Sequence, residues 1–384
     1  MQQSEFMENQ YNRRLDKIEA VLDEWLPASP DPAWLKKVFA QNPVHTRDLL
    51  PASQGALVSP ALAASLTRPG RDLLERGGKR WRPLLMVLTA ESITGERGGE
   101  AALPLVPLVE LSHNASLVHD DIEDNSPERR GKPAVHLLYG ADTAINGGAF
   151  LYFLATSCIS AWAEGYRTPT VNKIWDVWAS HMRALHLGQA MDIAWHRDFH
   201  SLPALDEYDR MCRLKTGCLA RLAAVLGVYC SGGLSGTEDP EALDVLADTL
   251  GRAAEQLGVG FQILDDVNNL DKGVPGKKRG DDIVEGKKSL PVLLYLHRYP
   301  EKRDFAARCF AAAREQGTEA PEVEEFIGAL TAAGVLEEAR DKGLRLIQES
   351  RDLFSARPAA GFSLHEEGQK LLAGLIDMIG HLAK

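Results

Sequence analysis

The chain of 384 residues is 45% hydrophobic and 25% charged, an ordinary globular composition that excludes a fibrous or intrinsically disordered protein. Its net charge of −11 argues against general binding of nucleic acid or anionic membranes, and makes local basic clusters more informative. The five cysteines show no paired spacing, so we expect reduced, structural thiols. Without a signal-peptide pattern or an apolar run of membrane-spanning length, the sequence predicts a cytoplasmic protein with no transmembrane segment.

Helical periodicity dominates the chain from its first residues. Apolar positions at helical spacing predict a first amphipathic helix over residues 6–26. Prolines then divide the chain up to about residue 70 into short pieces, which indicate either a helical wrap around the main body or a flexible arm. Further helices are predicted near residues 69–76, 81–95, 103–124, 139–164, 171–196, 206–230, 239–271, 287–299, 301–316, 322–332, 335–353 and 365–382.

These elements predict an all-α fold, since no convincing period-2 strand interrupts them. We expect a large single-domain helical bundle over residues 71–384, preceded by an N-terminal extension over residues 1–70. The Gly- and Lys-rich segment 273–288 is the one conspicuous internal loop of this pattern.

An acidic run, residues 120–124, ends one of the most apolar predicted helices. Asp120 and Asp124 are four residues apart, so on a helix their Cβ atoms lie about 5–6 Å apart on one face. Carboxylates this close favour a bound cation, and Mg²⁺ takes few protein carboxylates and completes its shell with phosphate oxygens and water. The alternative is an exposed acidic face. Arg129 and Arg130, just downstream, are either ion-pair partners of these acids or forked donors for phosphate.

A second acidic pair, Asp265 and Asp266, lies far downstream, with Asn269 four residues after the first aspartate. It repeats the same helical geometry with an amide in place of one carboxylate. Two such faces predict a metal–phosphate site shared between helices, although either alone could be an ordinary polar helix face.

Basic residues recur in three further places. In the run GGKRWR, residues 77–82, Lys79 and Arg82 lie at the head of a helix whose N-terminus itself favours anions. Lys215, beside Thr216 in an apolar helix, needs an anionic partner unless it reaches solvent. Glycine-spaced lysines, Lys277 and Lys287, either wrap an anion or form a solvated loop.

His113, two turns before Asp120, is either an ordinary core residue or part of the acidic face of the same helix.

Taken in order, these motifs strongly resemble the trans-isoprenyl diphosphate synthases, or polyprenyl synthetases. The matching motifs over about residues 70–300 are GGKxxR, DDxxD-x4-RRG, GQxxD, KT, FQxxDDxxN, GKxxGxD and GK. The resemblance implies a Mg²⁺-dependent prenyltransferase that condenses isopentenyl diphosphate with an allylic diphosphate. Its product would be geranylgeranyl diphosphate or a longer trans-polyprenyl diphosphate. The family also implies a homodimer.

The resemblance implies a role for each motif residue. The catalytic set would be Asp120, Asp121, Asp124, Lys215, Asp265 and Asp266. Three Mg²⁺ ions would be held by Asp120, Asp124 and Asp265. The diphosphate of the allylic substrate would contact Arg129, Lys215, Lys277 and Lys287. Isopentenyl diphosphate would contact Lys79, Arg82, His113 and Arg130, and the groups beside the reacting carbons would be Thr216 and Gln262.

Product length in this family depends on the side chains just before the first acidic motif. Bulky residues four or five positions earlier close the tail pocket at a farnesyl chain, whereas in this sequence those positions are Ser116 and Ala115. Ser112, eight positions earlier, is also small, so we expect a deeper pocket and a longer product. Candidates for its floor are Phe150, Tyr152 and Phe153.

Two other functions share parts of this pattern. A class I terpene cyclase also uses acidic motifs and Mg²⁺, but it does not need a second diphosphate site such as Lys79, Arg82, His113 and Arg130 would form. A non-catalytic subunit of a heteromeric prenyl synthase typically loses acidic-motif residues. In this chain both acidic motifs are nearly complete, with Asn269 in place of the final aspartate of the second one. The N-terminal stretch of about seventy residues is the other departure from the commonest family pattern.

Overall fold

The computed structural model describes residues 2–39, 63–163, 168–232, 240–273, 278–356 and 364–382. Within these ranges nearly every element is a helix, and the strands are a single antiparallel pair of two residues each, Glu128–Arg129 (β1) and Lys132–Pro133 (β2). The predicted all-α fold class is therefore confirmed.

The helices are numbered in chain order. The first eight are α1 Gln2–Trp25, α2 Pro32–Phe39, α3 Arg68–Glu75, α4 Trp81–Thr94, α5 Glu96–Ala102, α6 Val106–Glu123, α7 Val135–Tyr139 and α8 Ala141–Ala163. The others are α9 Thr168–Arg197, α10 Leu205–Cys212, α11 Cys218–Gly232, α12 Pro240–Asp271, α13 Asp281–Glu285, α14 Leu290–Arg298, α15 Arg303–Gln316, α16 Pro321–Ala332, α17 Val335–Ser355 and α18 Glu366–Leu382. Five-residue π-helical turns occupy Ala63–Thr67 and Arg213–Gly217, and single 3₁₀ turns occupy Leu103–Leu105, Pro300–Lys302 and Gly317–Glu319.

The long helices lie within a few residues of their predicted positions, whereas four short ones, α2, α5, α7 and α13, were not predicted. Each has eight residues or fewer, too few for helical periodicity to be visible in the sequence. Helix α13 lies inside the predicted loop 273–288. Gly280 and Gly286 flank it with φ of 85° and 77°, a left-handed conformation that glycine adopts without steric cost.

The chain divides into two compact units. Unit 1 comprises residues 1–178, 226–243 and 361–371, and unit 2 comprises residues 179–225, 244–360 and 372–384. This division differs in kind from the predicted boundary at residue 70, which separates an N-terminal extension from a main domain. That boundary stays a prediction.

In unit 1 the core forms where α6 packs along α8. A Cβ on Gly148 would lie 3.0 Å from His119 Nε2 and 3.1 Å from Val118 Cγ1, so glycine permits this close approach. Val118 and Ala144 bury their side chains together at this contact. The apolar length of α6 is covered in this way, and its acidic end is left at the edge of the core.

In unit 2 the second half of α12 packs against α10, α14 and α17. Val259, Ile263 and Val267, at helical spacing, form its buried face. A Cβ on Gly260 would lie 2.8 Å from the carbonyl oxygen of Gly343, so these two helices approach at backbone contact. The polar residues of the second acidic motif are thereby held on a rigid helix.

Three helical stretches of the described residues are long and apolar enough, by length and composition, to cross a membrane. They are Glu96–Glu123, Ala141–Ala163 and Leu205–Gly232. Helix length therefore does not support the prediction that no segment could span a membrane. Between 50% and 83% of their apolar windows is buried inside the protein.

Candidate active site

The first acidic motif keeps its helical geometry up to its last residue. Asp120 lies in the last turn of α6, and the amide of Asp124 donates to the Asp120 carbonyl at 2.8 Å. Both side chains are half-buried, and carboxylate oxygens are ligands that Mg²⁺ prefers. Among the described residues, no group of three or more His, Cys, Asp or Glu side chains could hold a metal by itself. Asp120 and Asp124 supply the carboxylate oxygens with which such an ion would be held, one or two at a time.

Asp121, the middle carboxylate, holds an arginine. Its buried Oδ1 accepts a hydrogen bond from Arg129 Nε at 2.7 Å and lies 2.5 Å from Arg129 Nη2. The same Nη2 lies 3.3 Å from Asp120 Oδ2. Arg129 thus forms the ion pair that the simpler interpretation predicted, and this pair fixes its guanidinium beside the first aspartate of the motif.

Arg130 and Gly131 form the two-residue loop between β1 and β2. Their φ values of 54° and 75° are both positive, the requirement of the type I′ turn that best joins two antiparallel strands. This turn explains the glycine of the RRG motif. Arg130 Nη1 donates to the carbonyls of Leu73, at 3.0 Å, and of Gly77. Burial lowers the pKa of Arg130 to about 10, so it stays charged at neutral pH.

The loop before α4 brings the GGKRWR run against this arginine. Gly78 has φ of 144°, and a Cβ there would lie 3.0 Å from Arg130 Nη2. Two motifs far apart in sequence are therefore in direct contact, because glycine leaves room for the guanidinium.

Arg82 and His113 meet behind this loop. Arg82 Nη1 lies 3.4 Å from His113 Nε2, and its guanidinium stacks 4.4 Å from the Trp81 ring. Burial, then the charges of nearby arginines, holds the pKa of His113 well below its usual range, so the imidazole is neutral. The structure thus brings together three of the four residues predicted to contact isopentenyl diphosphate. The fourth, Lys79, is exposed on the same loop.

In unit 2, Lys215 lies in the π-helical turn between α10 and α11. Its Nζ lies 2.6 Å from Asp192 Oδ2, at a buried ion pair. Asp192 belongs to the GQxxD motif, whose first residue, Gly188, would place a Cβ 2.4 Å from the Lys215 amide nitrogen. Because Gly188 has no side chain, α9 can pack at backbone contact with the π-helical turn that carries Lys215. Such π-helical turns are frequent at functional sites. The sequence alone gave no role to Asp192, although its motif was recognised.

Thr216 and Gln262 belong to a chain of hydrogen bonds. Thr216 Oγ1 donates to Gln262 Oε1 at 2.8 Å, and Gln262 Nε2 donates to Asp266 Oδ1 at 2.7 Å. The buried Tyr208 hydroxyl donates to Asp266 Oδ2 at 3.1 Å. Burial, with the nearby charge of Asp282, raises the pKa of Asp266 to about 8. Asp266 is therefore an anchor for Gln262, and Tyr208 is a residue that sequence reasoning missed.

Asn269 holds a loop. Its Oδ1 accepts from the Asp282 amide at 3.1 Å, and its backbone carbonyl accepts from the Gly280 amide at 3.0 Å. Asp265, one turn earlier, is half-buried. The amide that replaces the last aspartate thus has a structural partner in the start of α13.

Of the two lysines in the last motifs, the structure describes only Lys287. Lys277 lies outside the described residues. Lys287 Nζ lies 2.5 Å from Glu285 Oε2 and 3.4 Å from Asp282 Oδ1, so its charge is balanced within its own loop. Lys288, which was not predicted, is buried, donates to the Gly286 carbonyl at 3.0 Å, and has a pKa that burial lowers to about 8.

The face of α6 that was predicted to set product length is partly covered by a tryptophan. Ser112 and Ala115 are buried, and Trp178 Nε1 donates to Ser112 Oγ at 3.1 Å. Trp178 was not among the predicted floor residues. Of those, Phe153 is 70% exposed, which does not fit a pocket floor. The other two pack on rings: Phe150 on Trp34 and Phe39, and Tyr152 on His119.

Comparisons with known proteins place the chain in one family. The sequence model described as Polyprenyl synthetase matches residues 63–327. A geranylfarnesyl diphosphate synthase from Aeropyrum pernix is 30% identical over 80% of this chain and 91% of that protein. A geranylgeranyl diphosphate synthase from Methanosarcina mazei is 33% identical over 75% of this chain and 82% of that protein.

A solved structure agrees with these matches. The geranylgeranyl pyrophosphate synthetase from Pyrococcus horikoshii superposes with a TM-score of 0.75 at 25% identity, covering 98% of this chain and 99% of that one. The motif order, the match over residues 63–327 and this superposition agree. The chain therefore belongs to the polyprenyl synthetase family, the trans-isoprenyl diphosphate synthases that its motifs resemble.

Proposed function

We propose that this synthase condenses isopentenyl diphosphate with an allylic diphosphate, in the presence of Mg²⁺, to give geranylgeranyl diphosphate or a longer trans-polyprenyl diphosphate. The observation that carries the proposal is the basic cluster of Arg82, His113 and Arg130 in the same unit as the acidic pair Asp120 and Asp124. A cyclase needs one diphosphate site, whereas a basic cluster and an acidic pair suit two diphosphates held in different ways.

The basic cluster suits isopentenyl diphosphate. Lys79, Arg82 and Arg130 supply cationic donors for its phosphate oxygens. His113, kept neutral by burial, can donate one hydrogen bond without adding charge. The nucleophilic double bond is thus positioned without a metal.

The acidic residues suit the allylic substrate. We expect three Mg²⁺ ions, held through Asp120, Asp124 and Asp265. When bound, they would neutralise the charge of the departing diphosphate. Arg129, oriented by Asp121, and Lys215, paired with Asp192, each offer donors for diphosphate oxygens, because arginine has five N–H donors and lysine three.

The reaction breaks the allylic C–O bond, and the resulting carbocation is attacked by the isopentenyl double bond to form a C–C bond. A proton is then lost to the departing diphosphate. Thr216 and Gln262 present polar oxygens that suit a developing cation, and Asp266 fixes the amide of Gln262 through a 2.7 Å hydrogen bond.

We infer that the tail of the product passes Ser116 and Ala115 and ends at Trp178. The indole covers Ser112, two turns before Asp120, so it lies beyond the position where bulky residues stop a farnesyl chain. The names of the relatives from Aeropyrum pernix and Methanosarcina mazei support a product of geranylgeranyl length or longer.

A soluble, homodimeric protein in the cytoplasm is part of the same proposal. Exposed apolar side chains on α8, Ile145 and Phe153, lie eight residues apart, a spacing that occurs within one broad apolar stripe of a helix. Such a stripe supports pairing with a second copy.

The direct test is incubation with isopentenyl diphosphate, Mg²⁺ and dimethylallyl, geranyl or farnesyl diphosphate, with chain-length analysis by mass spectrometry. We expect elongation to twenty or more carbons. No elongation with any primer would contradict the proposal. Hydrocarbon or alcohol products in the absence of isopentenyl diphosphate would favour a cyclase, and elongation only after adding a second polypeptide would favour a heteromeric synthase.

The same assay tests the product length. Ala115→Phe fills the buried face before the acidic motif and should shorten the product, whereas Trp178→Ala should lengthen it. Trp175→Ala is the matched control, because Trp175 contacts Trp178 edge-on from the same helix but is 39% exposed. An unchanged product spectrum in Ala115→Phe and Trp178→Ala would exclude a tail pocket along this face.

A further inference from the structure

The N-terminal helix α1 makes direct contact with the loop that carries the basic cluster. Glu19 Oε1 on α1 accepts a hydrogen bond at 2.7 Å from Nε of Arg80. Arg80 lies between Lys79 and Arg82, the two cations proposed to bind isopentenyl diphosphate. Helix α1 lies outside residues 63–327, the part of the chain that the family model matches.

The backbone of Arg80 has an unusual conformation. With φ of 45° and ψ of 23° it lies in the left-handed region, where residues other than glycine are uncommon. Such a conformation persists only where the surroundings enforce it, and it clusters at functional sites. At Arg80 it turns the chain from the loop into the first turn of α4, so it sets the directions of both flanking cations.

The side chain of Arg80 supplies this enforcement. Its Nη2 donates to the Leu74 carbonyl at 2.6 Å, and its Nη1 donates to Glu110 Oε1 at 2.9 Å and to the Gly77 carbonyl at 3.2 Å. The side chain is only 4% exposed. A buried guanidinium in this position depends on its partners, because each hydrogen bond to a charged group contributes to holding it.

The two carboxylates that bind Arg80 have different surroundings. Glu110 is buried in α6 and also accepts from Asn114 Nδ2 at 2.9 Å, so it belongs to the core of unit 1. The Glu19 side chain is 44% exposed and comes from α1. Glu19 can therefore be changed without disturbing the core.

Helix α1 is held in place independently of Glu19. Arg14 and Glu91 form a buried ion pair at 2.6 Å, and the Tyr11 hydroxyl donates to the Leu371 carbonyl at 2.8 Å. Ile18 and Leu22 on α1 are fully buried. Removing the charge of Glu19 should leave the helix docked.

We propose that Glu19 is a positioning residue for the isopentenyl diphosphate site: through Arg80 it holds the loop backbone that directs Lys79 and Arg82. The N-terminal helix thereby supports one substrate site. The inference rests on the proposed function, since it assigns the ligand of that loop from it.

The test is Glu19→Gln, which keeps the side-chain size and removes the charge. In calorimetry with isopentenyl diphosphate and no Mg²⁺, we expect Kd to rise roughly three- to tenfold, the range for weakening one charge-assisted contact at a partly exposed partner. The KM for the allylic substrate should stay unchanged. Hydrogen exchange at the amides of residues 78–82 should become faster. Glu24→Gln is the control, because Glu24 lies on the same helix and pairs with Lys37.

Glu19→Gln with wild-type affinity for isopentenyl diphosphate would overturn the inference, as would an equal rise in Kd for Glu24→Gln. If the wild-type protein does not bind isopentenyl diphosphate, the proposed function fails. Hydrogen exchange then decides the role of Glu19 separately: unchanged protection of residues 78–82 overturns it, and faster exchange in Glu19→Gln alone supports it.

Discussion

The two acidic motifs share a sequence pattern but have opposite surroundings. In unit 1 the middle carboxylate, Asp121, is buried against a cation, Arg129. In unit 2 the corresponding carboxylate, Asp266, accepts hydrogen bonds from two neutral side chains, Gln262 and Tyr208, and burial with the nearby charge of Asp282 raises its pKa to about 8. The same aspartate position therefore serves as an anchor paired with a cation in one unit, and as an anchor with a raised pKa and neutral hydrogen-bond donors in the other.

This difference shows that the two motifs repeat a division of roles between their two aspartates, but not the surroundings of the second aspartate. In both motifs the first aspartate is half-buried, whereas the second is buried and orients another side chain. Asp121 orients a phosphate donor and Asp266 orients an amide. We therefore propose that the first aspartates, Asp120 and Asp265, bind metal together with Asp124, and that the second aspartates orient a neighbouring side chain.

The largest expected effect is loss of a first aspartate. Asp120→Asn and Asp265→Asn should each lower kcat by about 100- to 1,000-fold, the loss typical of removing one main electrostatic contact in an active site. Steady-state elongation kinetics measure this, with Asp304→Asn, an exposed carboxylate, as control. Either variant retaining more than a tenth of wild-type kcat would contradict a metal role for that residue.

Replacing the second aspartate should lower the free energy of unfolding by different amounts in the two motifs. Asp121→Asn leaves Arg129 without its buried charge partner and should cost about 3 kcal/mol at pH 7. Asp266→Asn keeps the side-chain shape and removes a carboxylate whose ionised form burial already disfavours, so it should cost about 1 kcal/mol or less. Urea unfolding at pH 7 measures both values. Equal losses in the two variants would mean that the two anchors are alike.

The raised pKa of Asp266 predicts a pH dependence of stability. Between the ordinary pKa of 3.8 and about 8 the folded protein binds a proton that the unfolded chain has released. Stability from this group is therefore present at low pH and is lost as pH rises through about 8. Thermal unfolding of Asp266→Asn should show a smaller decline over this window than wild type. An identical decline would show that Asp266 is ionised when folded.

His113 in unit 1 should act in the opposite direction. Its folded pKa lies well below 6.5, so below pH 6.5 the unfolded chain gains a proton that the folded protein does not. Stability therefore falls as pH drops below 6.5, and His113→Gln should flatten this fall. Thermal unfolding between pH 5 and 7 measures it, and an unchanged slope in His113→Gln would indicate a protonated imidazole.

The sequence predicted the long helices and the acidic faces, because periodicity and i, i+4 spacing are local properties. It could not reveal residues that reach the motifs through tertiary packing. Glu19 is 61 residues from Arg80 in the chain, and Tyr208 is 58 residues from Asp266. Nor does an arginine signal a left-handed conformation, as a glycine does, so the geometry at Arg80 had no sequence signal.

The central claim is that the protein holds one diphosphate with its own cations and the other through metal. Calorimetry with isopentenyl diphosphate and with an unreactive thiodiphosphate analogue of geranyl diphosphate, each with Mg²⁺ and with EDTA, tests it most directly. Isopentenyl diphosphate should bind in both conditions, because Lys79, Arg82 and Arg130 supply the charge. The allylic analogue should bind only with Mg²⁺. Isopentenyl diphosphate that needs Mg²⁺, or an allylic analogue that binds equally well in EDTA, would contradict the account.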